Sequence, residues 1–147
     1  MGAIGDHSFL SKLFEYDELN RLDCIGAHAN GPEPSGSIEA VASRYFEWAE
    51  QSRPVCVTEF GYALPVNNRT PPDFAWAMQH TEALQSSVLV AGVRWARQTG
   101  YVRLVILWNW TYFTANPIDT NAPYALTHPG WHSQALYALQ KEFNSAN

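Results

Sequence analysis

Three short apolar segments of the sequence end in side chains that can bind or attack a ligand. The residues at these three ends are His28, Asn30, Glu59, Trp108, Asn109 and Trp110. A carboxylate can act as a nucleophile, and amides and an imidazole can hydrogen-bond hydroxyl groups. An indole face can stack on the apolar face of a ring. Chemistry that uses all of these groups requires the three segments to end at the same edge of one sheet.

The three apolar segments are predicted to be β-strands over about 22–28, 55–61 and 102–108. Each is apolar at successive positions, which is typical of strands covered on both faces, and helical patterns lie between them. The resulting order, α-βα-βα-βα, predicts an α/β fold with a parallel sheet. The spacing of the strands suits a (β/α)8 barrel, which averages roughly 31 residues per unit.

Four stretches carry apolar residues at the spacing of an amphipathic helix. The first covers residues 8–20, Ser37 and Thr81 precede the second and third, and Gly100 follows the third. Each helix is expected to bury one apolar stripe against the sheet. The four stripes are Phe9, Leu13 and Tyr16; Ile38, Val41, Tyr45 and Trp48; Leu84, Val88, Ala91 and Trp95; and Leu136, Leu139 and Phe143.

The composition predicts a single domain over residues 1–147. Apolar residues make up 46% of the chain and charged residues 16%, which is enough apolar material for a core. The formal net charge of −5 argues against a nucleic-acid partner, and no apolar run is long enough to span a membrane. Because the N-terminus shows no secretory signal pattern, we expect a cytoplasmic protein.

Neither a metal site nor a cofactor site is predicted from the spacing of possible ligands. His128 and His132 are four residues apart, but Pro129-Gly130 between them prevents the two imidazoles from sharing a helix face. These residues are therefore expected in a loop.

The two cysteines, Cys24 and Cys56, fall on neighbouring predicted strands. If His28 and Glu59 point inward, strand alternation turns Cys24 inward and Cys56 outward. We therefore expect no disulfide between them.

Four pieces of the sequence, in order and at barrel spacing, resemble a known family. The chain is similar to the C-terminal portion of the retaining (β/α)8 glycoside hydrolases of the cellulase/β-glycosidase clan, and best to its cellulase-like and β-xylosidase-like members. The pieces are Phe9-Leu10 with 22–28, 57–62 with Thr58-Glu59-Phe60-Gly61, 104–110, and 124–126 with 131–139. The resemblance implies a partial TIM barrel, with the three strands matching barrel strands six to eight.

The resemblance also implies roles for the residues at the strand ends. Glu59 matches the nucleophile of a double displacement on β-linked glycosides. Trp108 matches the stacking platform for the sugar and implies a cis peptide bond after it. His28 and Asn30 match positions that lie beside the nucleophile or bind sugar hydroxyls.

Each of these residues also has a purely structural interpretation. Glu59 can cap a helix or pair with an arginine, and His28 can be a partly buried histidine. Trp108 and Trp110 can be core residues that close the end of the barrel. Asn109 can hydrogen-bond a sugar hydroxyl or close a turn, and the turn is slightly favoured.

Retaining hydrolysis needs a second carboxyl group as the acid/base, and in the clan this is the Glu of an Asn-Glu pair. This chain contains no Asn-Glu pair, and the resemblance places the acid/base on a barrel strand before those seen here. Glu33 and Asp119 are the only carboxyl groups on the predicted rim that could replace it.

Three strands also leave the inner face of the predicted sheet without an opposite wall. We therefore expect copies of the chain to form a homo-oligomer, or a complementary barrel fragment to supply the missing strands. The sequence predicts a glycoside hydrolase fragment with a carbohydrate substrate. The alternative is a non-catalytic carbohydrate-binding or self-associating barrel fragment.

Overall fold

The computed structural model describes residues 7–15, 21–116 and 118–145. Its α-helices are α1 (His7–Glu15), α2 (Ile38–Trp48), α3 (Glu82–Thr99) and α4 (Gln134–Asn144). Its β-strands are β1 (Ile25–Ala29), β2 (Val55–Phe60), β3 (Val102–Leu107), β4 (Thr127–His128) and β5 (Trp131–His132). Short 3-10 helices occupy Pro72–Ala77 and Ala122–Tyr124. The predicted alternation of helices and strands is confirmed.

Strands β1, β2 and β3 form a parallel sheet in that order, with helices between them in sequence. The α/β class is therefore confirmed. β1 pairs in register with β2 from Ile25 and Val55 up to Ala27 and Val57, and an irregularity then makes His28 the partner of Glu59. One extra residue of β2, Thr58, accounts for this shift.

The contacts within the chain divide it into two compact units. The first comprises the described residues up to Phe60 together with Trp95–Ile106. The second comprises Gly61–Arg94 together with the described residues from Leu107 onward. The single domain expected from the composition stays a prediction.

The helix boundaries follow the local signals in the sequence. Ser37 is the N-cap of α2, where its hydroxyl accepts a hydrogen bond from the backbone N–H of Ala40. Thr81 accepts one from the N–H of Leu84 at the start of α3. Gly100 follows α3 at a φ of 77°, a conformation that glycine adopts without a Cβ penalty. α1 spans part of the predicted helix, and residues 16–20 lie outside the described residues.

The predicted buried face of α2 is confirmed. Ile38, Val41 and Tyr45 are buried, and the helix packs on β1 and β2. Trp48, the last residue of the predicted stripe, is half-buried.

The predicted faces of α1 and α3 are wrong by about one residue, whereas that of α4 is confirmed at Leu139. In α1 the buried side chain is Leu10 and Phe9 is exposed, while the side chain of Leu13 and all of Tyr16 lie outside the described residues. In α3 and α4, Leu84, Ala91 and Phe143 are exposed. The buried side chains are those of Gln85, Leu89, Val93 and Ala96 in α3, and of Ala135, Leu139 and Glu142 in α4. Each of these faces includes a polar residue, which an apolar periodicity does not indicate.

The buried polar residues of α3 and α4 are satisfied within the second unit. The guanidinium of Arg94 donates from Nε to Oε2 of Glu142 over 2.8 Å, and its second nitrogen lies 2.7 Å from the same oxygen. Gln85 donates from Nε2 to the carbonyl oxygen of Tyr62 over 2.9 Å and accepts a hydrogen bond from the hydroxyl of Ser133. These contacts make burial of a carboxylate and an amide tolerable.

The expectation that Cys24 and Cys56 are unbonded is wrong, because they form a disulfide. Cys56 pairs with Gly26, and Cys24 lies two residues before Gly26, so both cysteines are on the same side of the sheet. The prediction assumed that side chains alternate regularly along each strand from His28 to Cys24 and from Glu59 to Cys56. The extra residue between Val57 and Glu59 breaks this alternation in β2, so Cys56 lies on the opposite side from the one predicted.

Candidate active site

Glu59 lies near the carboxyl end of β2, and its carboxylate contacts side chains from the end of β1. The Nδ2 of Asn30 donates a hydrogen bond of 2.8 Å to Oε2 of Glu59. The Nδ1 of His28 lies 3.3 Å from the same oxygen. The side chain of Glu59 is 25% exposed, so the carboxylate can be reached from solvent.

The register of the sheet brings these three residues together. The strands run parallel, so their carboxyl ends lie at one edge, and His28 is the direct partner of Glu59. Asn30 follows the last residue of β1 and reaches the same carboxylate. The sequence predicted this grouping of His28, Asn30 and Glu59 at one edge, and the structure confirms it.

The arrangement is suited to an oriented nucleophile. The amide nitrogen of Asn30 can only donate, so it holds one carboxylate oxygen in place. Among the described residues, both partners of Glu59 contact Oε2. The lone pairs of Oε1 are therefore available to a reacting atom.

Trp108, Asn109 and Trp110 belong to the second unit, and the peptide bond between Trp108 and Asn109 is cis, as predicted. Trp108 packs against the cluster formed by Ala63, Ala77 and Tyr124, so part of its surface serves the core. Trp110 is 55% exposed, which rules out the core interpretation for this residue.

Asn109 is buried and links two loop segments of the second unit. Its Nδ2 donates to the carbonyl oxygen of Asn121 over 3.2 Å. Its backbone N–H donates to Tyr124 and its carbonyl oxygen accepts from Leu126. These bonds support the turn interpretation over a role in sugar binding.

Gly61 follows β2 and is placed where a side chain does not fit. A Cβ at this position would collide with the carbonyl oxygen of Trp108, and it would lie 2.8 Å from a ring carbon of Tyr124. The glycine of the Thr58-Glu59-Phe60-Gly61 motif is therefore required for close backbone approach within the second unit.

The two rim carboxyl groups considered as a replacement acid/base have opposite properties. Partial burial, with a smaller contribution from Glu39, raises the pKa of Glu33 above its usual value. The backbone N–H of Asn121 and the hydroxyl of Tyr112 both donate to Asp119 and lower its pKa. Asp119 is thereby held as an anion, whereas Glu33 retains its proton to higher pH.

The two histidines dismissed as a metal pair lie in a β-hairpin rather than in an irregular loop. Thr127 pairs with His132 and His128 pairs with Trp131 across β4 and β5. The ring of His128 stacks on the indole of Trp131. The described residues contain no group of three histidine, cysteine, aspartate or glutamate residues that could hold a metal ion.

Sequence reasoning missed Gln85 and the cavity of the second unit described below. Neither carries a local signal, because a glutamine in a helix reads as a surface residue. None of the helices in the described part of the chain combines the length and the apolar character needed to cross a bilayer.

A comparison with protein-family models and with curated protein sequences finds no match to this chain.

Proposed function

We propose that this chain carries the nucleophile of a retaining β-glycoside hydrolase, with Glu59 as that nucleophile. The observation that supports this most directly is the oriented carboxylate at the edge of a parallel sheet. Asn30 and His28 hold one of its oxygens, and the other is free to react. The resemblance of the Thr58-Glu59-Phe60-Gly61 segment to the nucleophile strand of the cellulase/β-glycosidase clan supports the same assignment.

In the proposed reaction, Oε1 of Glu59 attacks the anomeric carbon of a β-linked glycoside. A bond forms between that oxygen and the carbon, and the bond to the leaving-group oxygen breaks with its electron pair. Water then attacks the same carbon, loses a proton to the solvent, and displaces the Glu59 carboxylate with net retention. The leaving oxygen requires a proton in the first step, unless the leaving group is the conjugate base of a strong enough acid to depart as an anion.

An aryl glycoside with an acidic phenol tests the nucleophile without requiring an acid/base residue. The protein is incubated with dinitrophenyl 2-deoxy-2-fluoro-β-glycosides of several sugars, and its mass is then measured. The fluorine slows the second step, so we expect a glycosyl adduct on the peptide that contains Glu59. Glu59→Gln should form no adduct, whereas Glu47→Gln, at an exposed position of α2, should react like the wild type.

Two results would refute the assignment. One is an adduct on a different residue. The other is the lack of any adduct across the whole sugar panel in a folded sample.

The proposed fold is a partial (β/α)8 barrel in which β1, β2 and β3 correspond to barrel strands six to eight. The parallel order of the three strands and the position of Glu59 at their carboxyl edge support this, because barrel active sites lie at that edge.

A second candidate function is non-catalytic carbohydrate binding. The exposed indole of Trp110 favours it, since an accessible aromatic face can stack on a sugar whether or not hydrolysis occurs. Sugar binding that survives in Glu59→Gln, in a protein that never forms the adduct, would select this candidate.

We further propose that a second copy of this chain covers the uncovered face of the sheet. Leu104 and Ile106, two residues apart on β3, are 45% and 46% exposed. Apolar side chains on an edge strand favour association with another chain.

The disulfide between Cys24 and Cys56 bears on the cellular location of the protein, which the sequence predicts to be the cytoplasm. Disulfides persist mainly in oxidising compartments, so this bond favours an oxidising one. We therefore propose an oxidising location in place of the cytoplasm.

A further inference from the structure

The second unit contains a cavity of about 480 Å³. Both the loop after Gly61 and the loop after β3 contribute to its wall. The side chains that give it chemical character are Tyr112, Phe113, Trp131, His80, His128 and Glu82. A volume of this size suits a small organic ligand.

Aromatic rings form much of this wall. Trp131 is held in place by His128, whose ring stacks on it at a centroid distance of 4.9 Å. Phe113 is 72% exposed, so its ring is accessible to a ligand that enters the cavity. The faces of such rings carry partial negative charge and attract cations.

Glu82 adds a carboxylate that is oriented but not neutralised. Its Oε1 accepts a hydrogen bond of 3.1 Å from the indole N–H of Trp131. Its Oε2 accepts one of 3.2 Å from the backbone N–H of Gln134. Both donors are uncharged, and each oxygen keeps a further lone pair.

Glu82 lies in the first turn of α3 and accepts a hydrogen bond from the first residue of α4, so the two helix N-termini favour its anionic form. Of the described residues that line the cavity, none is a lysine or an arginine. The whole chain carries a formal charge of −5, which adds to the attraction for a cation.

From these observations we propose that the cavity binds a small organic ammonium cation of the quaternary or methylated amine class. The methyl groups would contact the ring faces of Trp131, Tyr112 and Phe113, and the charge would lie towards Glu82. A neutral sugar would use the same rings and could donate hydroxyl hydrogen bonds to Glu82, but it would add no attraction between opposite charges. The cation is therefore the better fit.

The first test compares two ligands of nearly the same shape by isothermal titration calorimetry on the wild-type protein. Choline carries the positive charge, and 3,3-dimethyl-1-butanol replaces its nitrogen by carbon. We expect choline to bind about tenfold more tightly, which is the typical size of a cation–aromatic contribution. Equal affinities, or the lack of any saturable choline binding, would overturn the proposal.

Single substitutions test whether choline binds in this cavity. Glu82→Gln removes the charge and keeps an oxygen that accepts a hydrogen bond, so it should weaken choline binding about two- to fivefold, as expected for a solvent-accessible ion pair, and leave the alcohol unaffected. Glu47→Gln removes an exposed charge of α2 outside the cavity lining and should bind choline like the wild type.

The same titration separates this cavity from the proposed nucleophile. Glu59→Gln should bind choline unchanged, because Glu59 does not line the cavity. If circular dichroism shows that Glu82→Gln does not fold, the comparison of the two ligands on the wild-type protein still tests the proposal. Unchanged choline affinity in a folded Glu82→Gln would refute the proposal.

Discussion

The amide nitrogen of Asn30 lies 2.8 Å from Oε2 of Glu59, across 29 residues of sequence. This hydrogen bond joins the residue after β1 to a residue near the end of β2. It turns a strand-end glutamate into a carboxylate with a defined orientation. Resemblance alone left Asn30 either beside the nucleophile or on a sugar hydroxyl, and the structure places it against Glu59.

Replacing Asn30 by alanine should reduce the rate of Glu59 glycosylation. Hydrogen bonds to charged groups contribute about 1.5–3 kcal/mol, which corresponds to a loss of roughly 10–100-fold. Because the bond orients the attacking group, we expect the loss in kcat rather than in KM. The measurement is the rate of adduct formation with the fluorinated aryl glycoside. Asn144→Ala, at the exposed end of α4, is the control; equal rates in both variants would show that Asn30 does not position Glu59.

Trp108 and Trp110 form a matched pair for testing sugar stacking. Loss of an aromatic platform weakens binding by roughly 1–3 kcal/mol in comparable stacking sites. Trp108→Ala should lose that affinity for a β-glucan oligosaccharide and should also lower the melting temperature, because Trp108 packs on a buried cluster. Trp110→Ala should leave the melting temperature unchanged, because its ring is exposed. A binding curve unchanged in folded Trp108→Ala would assign that residue to the core alone.

The disulfide should make a measurable contribution to stability. It closes a loop between residues 32 apart in sequence, for which the chain-entropy model gives about 3–4 kcal/mol. The free energy of unfolding of the double variant Cys24→Ser/Cys56→Ser should therefore be lower by that amount, and the variant should unfold at a lower denaturant concentration. A thiol titration of the denatured wild type should detect no free thiol from this pair. Detection of two thiols would contradict the bond.

Gln85 should be as important to stability as an apolar core residue. Gln85→Leu preserves most of the volume but leaves the carbonyl oxygen of Tyr62 and the hydroxyl of Ser133 without this partner. We expect a loss of about 1–3 kcal/mol in the free energy of unfolding, measured by denaturant titration. Gln134→Leu, at the exposed first residue of α4, is the control and should have little effect. Equal stability of the two variants would refute the role of the network.

Self-association should depend on the exposed face of β3. Light scattering at micromolar concentration should report at least a dimer for the wild type. Ile106→Lys should shift the mass towards the monomer, because a charge in the contact would have to be desolvated. Leu84→Lys replaces an exposed leucine on α3 and should leave the mass unchanged. A monomeric wild type would refute the proposal.

Local features of this protein were determined by its sequence alone. Apolar runs located β1, β2 and β3, and the caps Ser37 and Thr81 located the starts of two helices. These signals act over a few residues, through side-chain bonds to nearby backbone and through the allowed backbone angles. That Glu59 and His28 lie at one edge was predictable from the parallel order of the strands, while their direct pairing depends on the register.

The tertiary structure alone decided which face of α3 is buried and which cysteines meet. One extra residue in β2 reverses the parity of the strand, which puts Cys24 and Cys56 on one side of the sheet. α3 buries Gln85 instead of Leu84, because the hydrogen bonds that Gln85 donates to Tyr62 and accepts from Ser133 satisfy its amide. Register and hydrogen-bond satisfaction depend on residues far apart in the chain, so no local pattern could specify them.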